Sequence, residues 1–101
     1  MLGGIIWRDY LVTENNTERK DWSYTSHIGE DLRGIDLSGA DLRRAVFDGA
    51  DLEGADLSGA DLRKASFKQA NLMKAAFDNA DMRDAIFIKA RMNLSNFQGT
   101  K

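Results

Sequence analysis

Alanine returns at every fifth position from Ala40 to Ala90, and two positions after each comes a large apolar residue: Leu42, Phe47, Leu52, Leu57, Leu62, Phe67, Leu72, Phe77, Met82, Phe87 and Met92. Leu32, Leu37 and Phe97 keep the same register, so the rule runs from residue 30 to residue 99. A five-residue period fits neither a helix, at about 3.6, nor a plain strand, at about 2. Within each unit, however, the small and the large apolar residue are two apart, so both face one side of a short extended stretch. A polar residue often stands between them: Asp41, Asp51, Asp56, Asp61, Asp81 or Asn71. The two residues after the large one are polar or Gly and can turn a corner. Each unit thus reads as one short strand and one turn.

A second period, of twenty residues, says how many corners close a coil. Gly34/Gly54, Ser38/Ser58, Gly39/Gly59, Arg43/Arg63 and Phe47/Phe67 match at positions where the shorter rule demands nothing, and Arg83 and Phe87 continue the series. Four units therefore make one turn of a square-walled coil, about 3.5 coils in all, with residues twenty apart stacked on each other. The interior holds the ladders Leu32–Leu52–Leu72–Met92, Leu37–Leu57–Phe77–Phe97, Leu42–Leu62–Met82 and Phe47–Phe67–Phe87. Gly34, Gly39, Gly49, Gly54, Gly59 and Gly99 share the last turn position, where a type II turn needs φ > 0, and Asn79 can serve there too. Corners ending in Arg44, Lys64, Gln69 or Lys74 are expected to use a different turn.

The pattern Ala-Asp-Leu-x-x, unbroken in Gly39-Ala40-Asp41-Leu42 and Gly59-Ala60-Asp61-Leu62, resembles the pentapeptide-repeat proteins over residues 30–99. The resemblance implies an all-β fold, a right-handed quadrilateral parallel β-helix (solenoid), with the Leu/Phe position and the preceding Ala turned inward. It also implies a range of functions. The best understood members of that family mimic duplex DNA, bind DNA gyrase and protect it from quinolones, while others are cyanobacterial regulators or modules of larger machines.

Residues 1–29 fall outside the repeat and hold both Trp and both Tyr. Ile5 to Thr13 and Asp21 to Ile28 are rich in aromatic and β-branched residues, with a polar stretch between them. The expectation is a strand–loop–strand cap over the first coil of a 30–101 solenoid domain, with Trp7 or Trp22 lying over Leu32 and Leu37. A solenoid needs such a cap for its end strand and end core. Trp7, Tyr10, Trp22 and Tyr24 are also candidate partner anchors, since Trp and Tyr are favoured at interfaces.

The net charge of −2 hides a polarity. Glu30 to Leu62 sums to −6 and Arg63 to Lys101 to +5, so the coil is acidic at its first end and basic at its last. Arg43, Arg63 and Arg83 form a stacked stripe with Arg44 and Lys64 beside it. Like charges on neighbouring coils, about 4.8 Å apart, are expected to be neutralised by Asp84 and the Asp41–Asp61–Asp81 file next door. The open alternative is an anionic partner, an acidic protein surface or phosphate. Near the C-terminus Ile88 and Leu94 replace polar corner residues, and Phe97, Met92 and Phe87 close the core without a following helix. Leu94 and Phe97 are therefore candidates for self-association through the C-terminal coil.

Catalysis finds no support: the single His, His27, has no Ser or Cys constellation around it and reads as a surface or capping residue. No His/Cys spacing suggests a metal, and no cofactor is expected. Without a basic leader or a membrane-length apolar run, the expected compartment is the cytoplasm. The preferred reading is a non-enzymatic protein–protein interaction or scaffolding module. The alternative is a DNA mimic binding DNA gyrase or topoisomerase. The mimicking members are more acidic along their length, whereas this chain turns basic in its second half, and inhibition or protection in a supercoiling assay separates the two. Nucleic acid is a disfavoured partner, because a single Arg stripe lacks aromatic interleaving.

Overall fold

The computed structural model describes residues 19–101. Parallel bridges join each wall residue to the one twenty positions on, as in Asp21↔Asp41, Asp41↔Asp61 and Asp61↔Asp81, and likewise in files from Ser26, Asp31 and Asp36. The extended run between corners is too short for a strand in its own right, so each wall pairs through a single bridge per rung.

The backbone accounts for its polar groups by position in the unit. The large residue's N–H donates to the carbonyl nineteen residues ahead, as Leu42 does to Asp61 at 2.8 Å. The wall residue's N–H donates in the other direction, as Asp61 does to Ala40 at 2.9 Å. The small residue closes the corner, as Ala45 N–H does to the Leu42 carbonyl at 3.0 Å. Two N–H groups remain. The corner residue's donates to the next rung, as Gly39 does to the Ser58 carbonyl at 2.8 Å. That of the residue after the large one is accepted by the Asp side chain: Ser38 to Asp36 at 3.0 Å, Arg43 to Asp41 at 3.2 Å, Ser58 to Asp56 at 3.0 Å. This is the Asx turn, and it explains why Asp recurs, since an unpaired N–H next to a buried core is costly. On the wall of Val46 and Ser66, which lack a carboxylate, Asp48 of the rung below takes the Lys68 N–H instead, at 3.1 Å.

Two expectations are corrected here. The winding already includes Asp21, ahead of Glu30, so Asp21–Ile28 is coil and not a separate cap strand. Trp22 stands in the file of Leu42 rather than over Leu32 and Leu37. The apolar rule hid these two units because Trp22 and His27 take the large position and Thr25 and Glu30 the small one. The other strand expected in the cap, with Trp7 and Tyr10, lies outside the described residues. Second, the corners at Arg44, Lys64, Gln69 and Lys74 do not use a different turn. Their φ values are 59 to 63°, against 67 to 75° at Gly39, Gly59 and Gly99. They close with the same hydrogen bond. Stacking forces one corner geometry on every unit, and non-glycine residues accept the left-handed conformation at a cost of about 1 kcal/mol each.

The core is the four inward ladders, except that Phe97, expected to close one of them, is 36% exposed in the last coil, where no described rung covers it. Leu37, Leu42, Phe47, Leu52, Leu57, Leu62, Phe67, Leu72 and Phe77 are fully buried, as is the Ala file from Ala40 to Ala80. Leu32, Met82, Phe87 and Met92 are partly buried against it. Aromatic rings stack along the wall of Phe47: its centroid lies 5.1 Å from Phe67, and Phe67 lies 5.1 Å from Phe87. Phe77 meets Phe67 edge-on at 6.4 Å, an arrangement the ring quadrupoles favour.

Candidate functional site

The first wall and its corner carry the strongest charge pattern. Asp41, Asp61 and Asp81 stack, and each holds the Arg two residues on through a two-pronged pair. Arg43 Nε and Nη2 donate to Asp41 at 2.8 and 2.7 Å, Arg63 to Asp61 at 2.8 and 2.6 Å, and Arg83 to Asp81 at 2.8 and 2.6 Å. Each file steps onto the next rung, with Arg43 Nε 3.9 Å from Asp61 and Arg63 Nε 3.8 Å from Asp81. The stripe is thus neutralised from within, by the Asp file and not by Asp84.

Arg44 and Lys64 are not. Neither meets a carboxylate among the described residues, and they line a shallow groove of about 200 Å³ with Tyr24, Arg43 and Arg63. Tyr24 is 71% exposed, and the Arg44 guanidinium lies 5.9 Å from its ring centroid, within cation–π reach. The fold brings together Tyr24, Arg43 and Arg63 of the sequence candidates and leaves Arg83 a rung beyond. Trp22 turns inward and is partly buried. Leu94, 76% exposed, and Phe97, stacked on Phe77 at 5.0 Å, lie at the other end. Arg44 and Lys64 were underweighted in the sequence because the twenty-residue match drew attention to their neighbours; their lack of an Asp two residues back was the available signal.

His27 is not a surface residue. Its ring stacks on Phe47 at 5.2 Å and against Trp22 at 4.5 Å, extending the aromatic file by one rung. Its Nδ1 donates to the Glu30 carboxylate at 3.1 Å, and Nε2 lies 2.8 Å from the Thr25 hydroxyl oxygen. Both nitrogens are thus used in packing.

The carboxylates of the first wall are held in the charged form. Hydrogen bonds from Arg43, outweighing some burial, lower Asp41 to about 2 from 3.8, and Arg83 does the same for Asp81. Arg33 lowers Asp31 to about 2 in the same way. The folded state therefore binds these protons less readily than the unfolded chain. Their contribution to stability is complete above about pH 4 and is lost as pH falls toward about 2. Thermal unfolding followed by circular dichroism should show a melting temperature that drops between pH 4 and 2, with a shallower drop in Asp41→Asn. A flat or rising profile over that interval would contradict the pairing.

Among known proteins, the model of the family "Pentapeptide repeats" matches residues 31–63 and 60–99, in eight copies. The chain belongs to the pentapeptide repeat family. HetL, a pentapeptide repeat protein involved in heterocyst differentiation regulation from the cyanobacterium Nostoc sp. PCC 7120, is 32% identical; the alignment covers 83% of this chain and 41% of HetL, with a TM-score of 0.46. The pentapeptide repeat protein alr5209 from Nostoc PCC 7120 is 26% identical over 92% of this chain and 93% of its own, with a TM-score of 0.47. AT2G44920, a pentapeptide repeat protein from the Arabidopsis thaliana thylakoid lumen, is 35% identical over 85% of this chain and 63% of its own, with a TM-score of 0.36. This pentapeptide repeat chain thus spans less than half the length of HetL. No curated protein matches it. The family match begins at Asp31, whereas the repeat geometry already holds at Asp21. Among the described residues no helix is long and apolar enough to cross a membrane.

Proposed function

We propose that this chain is a non-enzymatic protein-binding or scaffolding module: a right-handed four-walled coil, about four turns counted from Asp21, that recognises an acidic protein segment at its first corner. One observation carries the reading. The left-handed corner positions hold Gly29 and Gly49 on the second corner, Gly34 and Gly54 on the third, and Gly39, Gly59 and Gly99 on the fourth. The first corner holds Tyr24, Arg44, Lys64 and Asp84, with no glycine among them. Strained backbone kept at a cost is a pointer to function. Here it displays an aromatic ring and two cations without carboxylate partners on successive rungs. Asp84 ends the positive track, so the corner suits a segment with two acids beside an apolar anchor rather than a long polyanion. Self-association belongs to the same proposal. Leu94 faces outward from the last coil, 76% exposed, where most units carry polar residues or glycine, and Phe97 is 36% exposed at the same end.

Glycine at the strained corner offers a clean test, since Arg44→Gly with Lys64→Gly removes the charge while relaxing the backbone. A labelled peptide carrying one Phe and two Glu residues on alternate positions should bind the wild-type chain in a salt-sensitive manner. The double variant should bind about tenfold more weakly with an undiminished melting temperature. Equal binding by the variant, or by a peptide with Gln in place of Glu, would overturn the reading.

A further inference from the structure

The second corner reads the same from either end. Its outward file, in consecutive rungs set by the bridges Ser26↔Val46, Val46↔Ser66 and Ser66↔Ile86, is Ile28, Asp48, Lys68, Ile88. Evenly spaced apolar, acidic, basic, apolar residues form a sequence that an antiparallel copy of itself complements. We propose that two copies pair side by side along this corner, about a two-fold axis that crosses the coil between Asp48 and Lys68. Ile28 then meets Ile88 of the second copy, and Asp48 meets its Lys68, twice each by symmetry.

Four observations support this occupant. Ile28 and Ile88 are 65% and 60% exposed, an unusual display for a residue that could be polar at no cost to the core. Lys68 has no carboxylate within ion-pair distance among the described residues. The Asp48 Oδ1 is engaged by the Ser66 hydroxyl at 2.6 Å and the Lys68 N–H at 3.1 Å, which fixes the carboxylate in place and leaves its second oxygen for a partner. The adjoining file is complementary in volume. Gly29 and Gly49 at the acidic end have only open space or a bare backbone atom where a side chain would start, and they oppose Lys89 and Gln69 of the second copy. An isologous pair of this kind satisfies every contact twice and closes on itself. Its acidic half lies against the basic half of the other copy, so the long-range field favours the antiparallel sense over the parallel one. This pairing is lateral, and it is independent of recognition at the first corner.

One edge of a short coil buries less than the roughly 800 Å² per partner of a stable complex. The dimer is therefore weak, with a dissociation constant on the order of 100 µM. The chain has no cysteine, so a crosslink can trap the pair. Ile28 and Ile88 of one chain are three rungs, about 14 Å, apart, beyond disulfide reach. Under copper–phenanthroline oxidation the double variant Ile28→Cys/Ile88→Cys should give a covalent dimer, while each single variant stays largely monomeric. In sedimentation velocity at several hundred micromolar, Lys68→Glu, which keeps the backbone contact to Asp48, should shift the wild-type dimer to monomer. Adding Asp48→Lys should restore it. Crosslinking by Ile88→Cys alone as efficient as by the double variant would mean end-to-end contact and overturn the proposal. So would a wild-type chain that stays monomeric in that range, or a charge-swapped chain that melts as the wild type does and still fails to recover. Binding of the acidic peptide at the first corner is expected to be unchanged in all of these variants, so failure of either proposal is visible separately.

Discussion

Phe67→Ala is expected to lower the unfolding free energy by about 3–5 kcal/mol, a large part of the roughly 5–15 kcal/mol that holds a domain together. Phe67 is fully buried, sandwiched between Phe47 and Phe87 at 5.1 Å each and met edge-on by Phe77. The cost depends on how far the surroundings collapse into the cavity, and here they are held. Phe47 N–H donates to the Ser66 carbonyl at 2.7 Å and Phe67 N–H to the Ile86 carbonyl at 2.8 Å, so the rungs above and below cannot approach without breaking the ladder. A solenoid's stability is close to a sum of nearest-neighbour interfaces, and Phe67 belongs to two of them. Leu94→Ala, at a residue 76% exposed, supplies the comparison and should cost less than about 0.5 kcal/mol. Chemical denaturation followed by circular dichroism measures both. A loss below about 1 kcal/mol for Phe67→Ala would mean that the rungs are free to slide inward and that the stack is not the main cohesive element.

The inward ladders were legible because alternation of small and large residues at a fixed interval leaves only one way to bury them. The twenty-residue register was legible because Arg43/Arg63/Arg83 and Phe47/Phe67/Phe87 repeat beyond what burial requires. What escaped was governed by position instead of residue type. Units Asp21–Thr25 and Ser26–Glu30 were missed since an outer coil tolerates Trp22, His27, Thr25 and Glu30 where an inner coil demands Leu and Ala. Their outer residues, Asp21 with Asp41 and Gly29 with Gly49, carried the signal all along. The turn at Arg44 and Lys64 was misjudged because local preference argued against φ > 0, while stacking between the rungs imposed the same left-handed corner on every unit. Neutralisation of the Arg stripe was foreseeable from charge alone. Which cations it would leave over was not, because that depends on which residue of each unit carries the Asx geometry. The first-corner groove follows from that difference, and so does the weakness of Arg83 as a partner residue: it is spent on Asp81 and lies beyond the groove.

The same dependence on rung sets the second large effect. Ile35, Ala55, Ala75 and Ser95 share one inward file at the small position. The outermost described coil accommodates Ile35, which is partly buried, whereas Ala55 one rung in is 1% exposed. Ala55→Ile therefore places in the interior a side chain that the protein already uses in the same file, with the same backbone conformation and no change in polarity. Only the available volume differs. Ala55 is pinned on both sides: its N–H donates to the Leu52 carbonyl at 2.9 Å, and its carbonyl accepts from Ala76 N–H at 2.9 Å. The added carbons must displace Leu52, Leu57 or the ladder itself, at a cost of about 1–3 kcal/mol or more. Because β-branching favours an extended backbone, the loss cannot be assigned to conformational preference. Denaturation midpoints of Ala55→Ile beside the wild-type chain decide it. A midpoint equal to or above wild type would show that the coil's cross-section can widen, and that alanine recurs at this position for a reason other than space.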